Sequence, residues 1–117
     1  MQRARTTVMS EFRTDLVVRK VRGRSHKYEL AAPLLFFDSE LGHVITVPKG
    51  FKTDLSTYWI EGKHTEAAIV HDYLLVHSEL PREIADQVMY NAMKSLGVRK
   101  YHKSLIYLAI RLYGWFK

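Results

Sequence analysis

His71 and Asp72 stand back to back inside the stretch Ala67-Ala68-Ile69-Val70-His71-Asp72-Tyr73-Leu74-Leu75-Val76. This stretch reads as a helix that is apolar on nearly every side. Burying a carboxylate in such surroundings is expensive unless it is paired, hydrogen-bonded or bound to a metal. Consecutive helical residues point about 100° apart, so His71 and Asp72 face adjacent sides and each needs its own partner. Asp86, on the next predicted helix, is the obvious candidate. The connection from His77 to Leu80 is short, so the two helices should run antiparallel as neighbours. Asp86 would then sit roughly level with Asp72 across the hairpin, with Tyr90 one turn further along the same side.

This placement supports a concrete chemistry. Asp86 accepts a hydrogen bond from one nitrogen of His71 and fixes its tautomer, and the other nitrogen serves as general base on a water. Asp72 would hold a hard cation such as Ca²⁺ through its oxygens, and the cation would polarise a substrate oxygen. Asp54 is a second candidate ligand for the cation, or a further partner for His71. The catalytic candidates are therefore His71 and Asp86, and the metal candidates Asp72 and Asp54.

A purely architectural reading stands beside this one. His71 would bridge Asp86 and Asp54, and Asp72 would bond to backbone or to Lys63. Such stability networks perturb charged groups without any catalysis. Thr53, Asp54 and Ser56 are also residue types that cap short helices. His64 and His77 flank the first helix at spacings that do not suit a histidine-only zinc site.

These residues are positioned by an expected α+β chain: an antiparallel β meander, then a three-helix half that contains the His-Asp hairpin. Asp15–Val18, Lys27–Leu30, Leu34–Phe37 and His43–Val47 read as strands, with turns at Gly23 and Gly42 and a stop at Pro48. Gly50 after Pro48 suggests a turn, and Phe51 an anchor into the core. The first helix should start near Thr65, with Glu66 in its first turn, and run to about His77. Pro81 suits the first turn of the second, whose apolar stripe is Ile84, Ala85, Val88, Met89, Ala92, Met93 and Leu96, with Gly97 as terminator. A third helix should cover Tyr101 to Tyr113. Strands first and helices after argue for α+β.

Composition narrows the chemistry. The chain has 117 residues, 47% of them hydrophobic, enough for one domain, residues 1–117, around one core. With no cysteine, disulfides, thiolate zinc sites and cysteine nucleophiles are excluded. No apolar run reaches the roughly 18 residues of a membrane span, and the start shows no signal peptide, so synthesis in a cytoplasm is expected. The net charge is +6, and the densest basic run is Arg19-Lys20-Val21-Arg22-Gly23-Arg24, followed by Lys27. Without interleaved aromatics for base stacking, this run reads as a solvated loop, and nucleic acid is not the expected partner. The C-terminal aromatics Tyr107, Tyr113, Trp115 and Phe116 lie among Lys103, Arg111 and Lys117. They read as a helix that covers the sheet or meets a partner chain, with an interfacial membrane helix as the alternative.

Two resemblances follow from the motifs. His71-Asp72 with Ala85-Asp86-Gln87-Val88-Met89-Tyr90 resembles the phospholipase A2 pattern, a His-Asp pair on one helix and a supporting Asp on the antiparallel one. That resemblance covers only the hairpin. Leu75 stands where that family usually has Tyr, and no glycine-rich calcium loop precedes the helix. A broader likeness joins Val47-Pro48-Lys49-Gly50-Phe51-Lys52-Thr53-Asp54-Leu55-Ser56, Ala67-Ala68, His71-Asp72, Arg82, Ala85-Asp86 and Met93. It resembles domain-of-unknown-function family 1353, small proteins of tailed phages and prophages.

That resemblance implies a phage-encoded protein made in the host cytoplasm. The first expectation is a structural or interaction protein of the virion, in the tail or neck, working in a homo- or hetero-oligomer with other virion proteins. The alternative is a small Ca²⁺-dependent hydrolase of phospholipase-like chemistry acting on host envelope lipid.

Overall fold

A computed structural model describes residues 9–21, 28–53, 65–97, 104 and 107–112. Six strands precede the helices: β1 (Glu11–Phe12), β2 (Val18–Lys20), β3 (Tyr28–Leu30), β4 (Leu34–Asp38), β5 (His43–Val47) and β6 (Lys52–Thr53). Helices α1 (Thr65–His77) and α2 (Arg82–Ser95) follow. Residues 104 and 107–112 are helical and belong to α3. The architecture is the expected α+β, strands first and helices after.

The strands form two antiparallel sheets, in the orders β1-β4-β5 and β2-β3-β6. The expected strand at Asp15–Val18 lies further along, at Val18–Lys20, where it registers against β3 with Arg19 opposite Glu29. Arg19 Nε and Glu29 Oε2 are 2.9 Å apart, so part of the basic run is a solvent-side cross-strand pair. Residues 22–27, the rest of that run, lie outside the described residues.

β4 and β5 form the hairpin that carries the first sheet, with Phe36 opposite Ile45 and Leu34 opposite Val47. Their alternation is clean: Leu34, Phe36, Ile45 and Val47 are buried and their neighbours are not. Strand side chains point to opposite faces in turn, so every second residue faces the helices. The turn between them needs Gly42, whose φ is +76°, a conformation that glycine adopts without steric cost. β1 adds Phe12, whose ring lies 4.7 Å from that of Phe36.

The helices cover the sheet, α2 against β1 and β4 and α1 against β5. α1 buries Ala67, Ile69, Val70, His71 and Leu74, and α2 buries Ala85, Asp86, Val88, Met89, Ala92 and Met93. With Leu30 and Ile110 of α3, these residues make one hydrophobic core. α2 begins after Pro81, which caps it without a side-chain acceptor, and ends at Leu96. Gly97 follows in the left-handed region at φ +80°, the usual stop for a helix.

Candidate functional site

The site is assembled by the α1–α2 hairpin. The stripe Ala67, Val70, His71 and Leu74 recurs at three- and four-residue intervals, so His71 shares the core-facing side of α1. α2 turns Ala85, Asp86, Val88, Met89, Ala92 and Met93 inward, and Asp86 is carried in among them at 0% exposure. Across the antiparallel pair, His71 Nε2 donates to Asp86 Oδ1 at 2.6 Å. The carboxylate can only accept, so this contact places the ring proton on Nε2, and the neutral ring keeps its lone pair on Nδ1.

Asp72 differs from the sequence expectation. It is exposed, while its neighbour His71 is only 8% exposed. The pair does not impose two buried charges on one helix. The reason is rotational: facing His71 toward α2 swings Asp72 to the solvent side, together with Leu75 and Val76, which is 68% exposed. α1 is therefore apolar on its outer face as well as on its inner one.

Asp86 is compensated by more than His71. Arg111 Nη1 of α3 donates to Asp86 Oδ2 at 2.9 Å. Arg82, one turn before Asp86 on α2, holds its Nε 3.7 Å from the same oxygen, beyond hydrogen-bond reach. One buried carboxylate thus faces an imidazole and two guanidiniums drawn from three helices. Burial lowers the pKa of His71 from its ordinary 6.5, and the hydrogen bond and charge of Asp86 only partly oppose this. His71 is neutral at pH 7. The hydrogen bond from Arg111 to Asp86 pushes that guanidinium's pKa up, so it stays charged throughout the physiological range.

Asp54, Ser56, Lys63 and His64 lie outside the described residues, as do Tyr113, Trp115 and Phe116. Thr53 is buried at the end of β6, and Phe51 packs against the core, its ring edge-to-face with that of Tyr73 and the two centroids 5.5 Å apart. His77 stacks beside Tyr73 at 5.2 Å. Among the described residues, no group of three or more His, Asp or Glu gathers into a metal site. Asp72 does not by itself make the oxygen cage that Ca²⁺ requires.

Sequence reasoning passed over two partners. Arg111 was legible only as one cation among several near the C-terminus, because its spacing relates it to no acidic residue. The second is a buried carboxylate, Asp38, at 0% exposure. Its Oδ1 accepts the backbone N–H groups of Glu40 and Leu41 at 2.8 and 3.1 Å. Its Oδ2 accepts from Asn91 Nδ2 of α2 at 3.2 Å, and Asn91 also donates to Glu40 at 2.8 Å. A signal existed: Asp38 continues the inward series Leu34, Phe36 by twos.

The family model described as "Protein of unknown function (DUF1353)" matches residues 28–110, a span that holds β3 to β6, the hairpin and most of α3. The chain belongs to the DUF1353 family. No curated protein and no solved structure matches it. Within the matched span of this DUF1353 protein lie His71, Asp72, Arg82 and Asp86, and the Asp38–Asn91 contact. The phospholipase A2 likeness has no counterpart among these matches.

Proposed function

We propose that this DUF1353 protein is a phage-encoded structural or interaction module of the virion, with the Asp86 network as the fastening of its helical half. The observation that carries the reading is the threefold attachment of Asp86. A single buried carboxylate ties α1 through His71, α2 by its own backbone and α3 through Arg111. Buried hydrogen-bonded networks of this kind rigidify the elements they join. The outer faces of α1 and α3 carry the exposed apolar residues Leu75, Val76, Leu108 and Leu112, which suit a chain that works in contact with others. The phage and virion part rests on the motif resemblance that runs from Val47 to Met93.

His71→Ala separates this reading from catalysis. Losing the donor leaves Asp86 with an unmet buried acceptor, at about 2 kcal/mol of stability. A thermal melt of the variant should therefore shift down by several degrees. A variant that melts like the parent would sink the fastening role. Mass spectrometry of purified phage particles should find the chain as a constituent, and its absence from them would remove the virion assignment.

A second reading is favoured by one observation. His71 is neutral, held by Asp86 at Nε2, and Asp72 is exposed beside it. A neutral imidazole oriented by a buried carboxylate is suited to general-base hydrolysis. Incubation with phospholipid vesicles tests this: fatty-acid release that vanishes in His71→Gln supports the hydrolase, and no release removes it.

A further inference from the structure

The Asp86 network is over-supplied with cations. Asp86 accepts one hydrogen bond on Oδ1 from neutral His71 and one on Oδ2 from Arg111. Arg82 is drawn to the same Oδ2 without reaching it, at 3.7 Å. Its Nε is buried and has no hydrogen-bond partner among the described residues. An unmet buried donor is costly, and Arg82 is held beside Asp86 by charge and not by a hydrogen bond.

Both arginine side chains also reach the surface, Arg82 at 32% and Arg111 at 36% exposure. A guanidinium has five N–H donors in a rigid fork that matches the oxygens of phosphate and carboxylate. Arg111 uses one of them on Asp86. Arg82 is the first residue of α2, and the Pro81 cap supplies no side-chain acceptor to the helix start. The positive end of the helix dipole therefore lies beside Arg82, although Pro81 O already accepts the N–H groups of Ile84 and Ala85.

We propose that Arg82 and Arg111 form a two-arginine clamp for a phosphate-type oxyanion, seated over the buried Asp86 at the start of α2. Asp86 is the fixed counter-charge that holds the two cations together when the clamp is empty, and the incoming anion binds outward-facing guanidinium N–H groups, while the buried Nε of Arg82 stays beside Asp86. The one acidic side chain of the first turn, Glu83, is exposed and acts electrostatically on Arg111. It is the competitor that an anion must outweigh. The clamp is independent of whether His71 is a fastening or a base.

The test is a thermal melt of the whole chain with inorganic phosphate against chloride at equal ionic strength, with glycerol phosphate in a parallel arm. At about ten times its dissociation constant, phosphate should raise the melting temperature of the parent by roughly 4 °C or more. A shift with glycerol phosphate but not inorganic phosphate assigns the clamp to phosphate esters, and the reverse assigns it to the free ion. Arg82→Gln should lose the shift. Glu83→Gln, which leaves both arginines in place, should tighten phosphate binding roughly two- to fivefold. No shift in the parent beyond that in chloride, or equal binding by the parent and Glu83→Gln, would overturn the clamp.

Discussion

His71 shows how one contact fixes a residue's chemistry. The ring is buried, which disfavours its protonated form; the hydrogen bond to Asp86 at Nε2 opposes this only in part, so the pKa lies below 6.5. The consequence for stability has a definite sign. In the unfolded chain the imidazole takes up a proton as the pH falls through about 6.5, while in the folded chain it resists until lower pH. The unfolded state binds more protons in that window, so stability is full above it and is lost as the pH falls. Melting curves from pH 7.5 down to pH 5 should show this loss, and His71→Gln should show less of it. Comparison with the variant subtracts Glu66, whose pKa is pushed up first by burial and then by Asp15. A variant with the same pH slope as the parent would show that His71 is not the titrating group.

The β4–β5 hairpin and α2 form the element-scale unit that holds the site in place. Asp38 closes the hairpin turn by accepting two backbone N–H groups and then reaches Asn91 on α2. It is one layer of strand away from Phe36 on the same inward face, so α2 is anchored both by packing and by this carboxylate. Asp38→Ala strands three donors in a partly dry site, and the expected loss is about 2–3 kcal/mol. Chemical denaturation should report it as a lower midpoint with an unchanged slope; a midpoint like that of the parent would mean that the turn holds without its carboxylate. The existence and order of the hairpin, α1 and α2 were legible in the sequence, because the hairpin alternates up to its turn at Gly42, α2 carries a 3.6-residue stripe between Pro81 and Gly97, and α1 is one long apolar run that opens at Thr65. The two short strands β1 and β6 were not legible. Each has only two residues, and its strand character comes from the neighbour it pairs with rather than from any pattern of its own.

For the molecule as a whole, α3 is the element that closes the network. It meets α2 through Arg111 on Asp86 and through the ring of Tyr107 on Tyr90 at 5.5 Å, and it adds Ile110 to the core. Among the described residues, the hydrogen bond of Arg111 and the ring contact of Tyr107 both go to α2. Arg111→Ala should loosen α3 from the hairpin while leaving the sheet and α1 in place. Hydrogen exchange should then speed up across residues 107–112 and stay slow in β4 and β5. Uniform acceleration across the chain would show instead that α3 and the core open together. The outer face of α3 keeps Leu108 and Leu112 exposed, which leaves this helix available to a partner even when it is fastened.

By itself the sequence determined the class of fold, the helix limits and the pairing of a His-bearing helix with an Asp-bearing one. Those properties depend on local periodicity and on glycine and proline stops, all within a few residues. Only the tertiary structure decided which of two adjacent polar residues is inside. His71 and Asp72 sit in a helix whose apolar residues surround both, so no pattern distinguishes them. The rotation of α1 against α2 turns His71 in and Asp72 out. The tertiary structure likewise supplied Arg111 to Asp86 across 25 residues of chain and exposed the unmet donor of Arg82. A buried charge must find its partner in space, and the distance along the chain does not constrain where that partner lies.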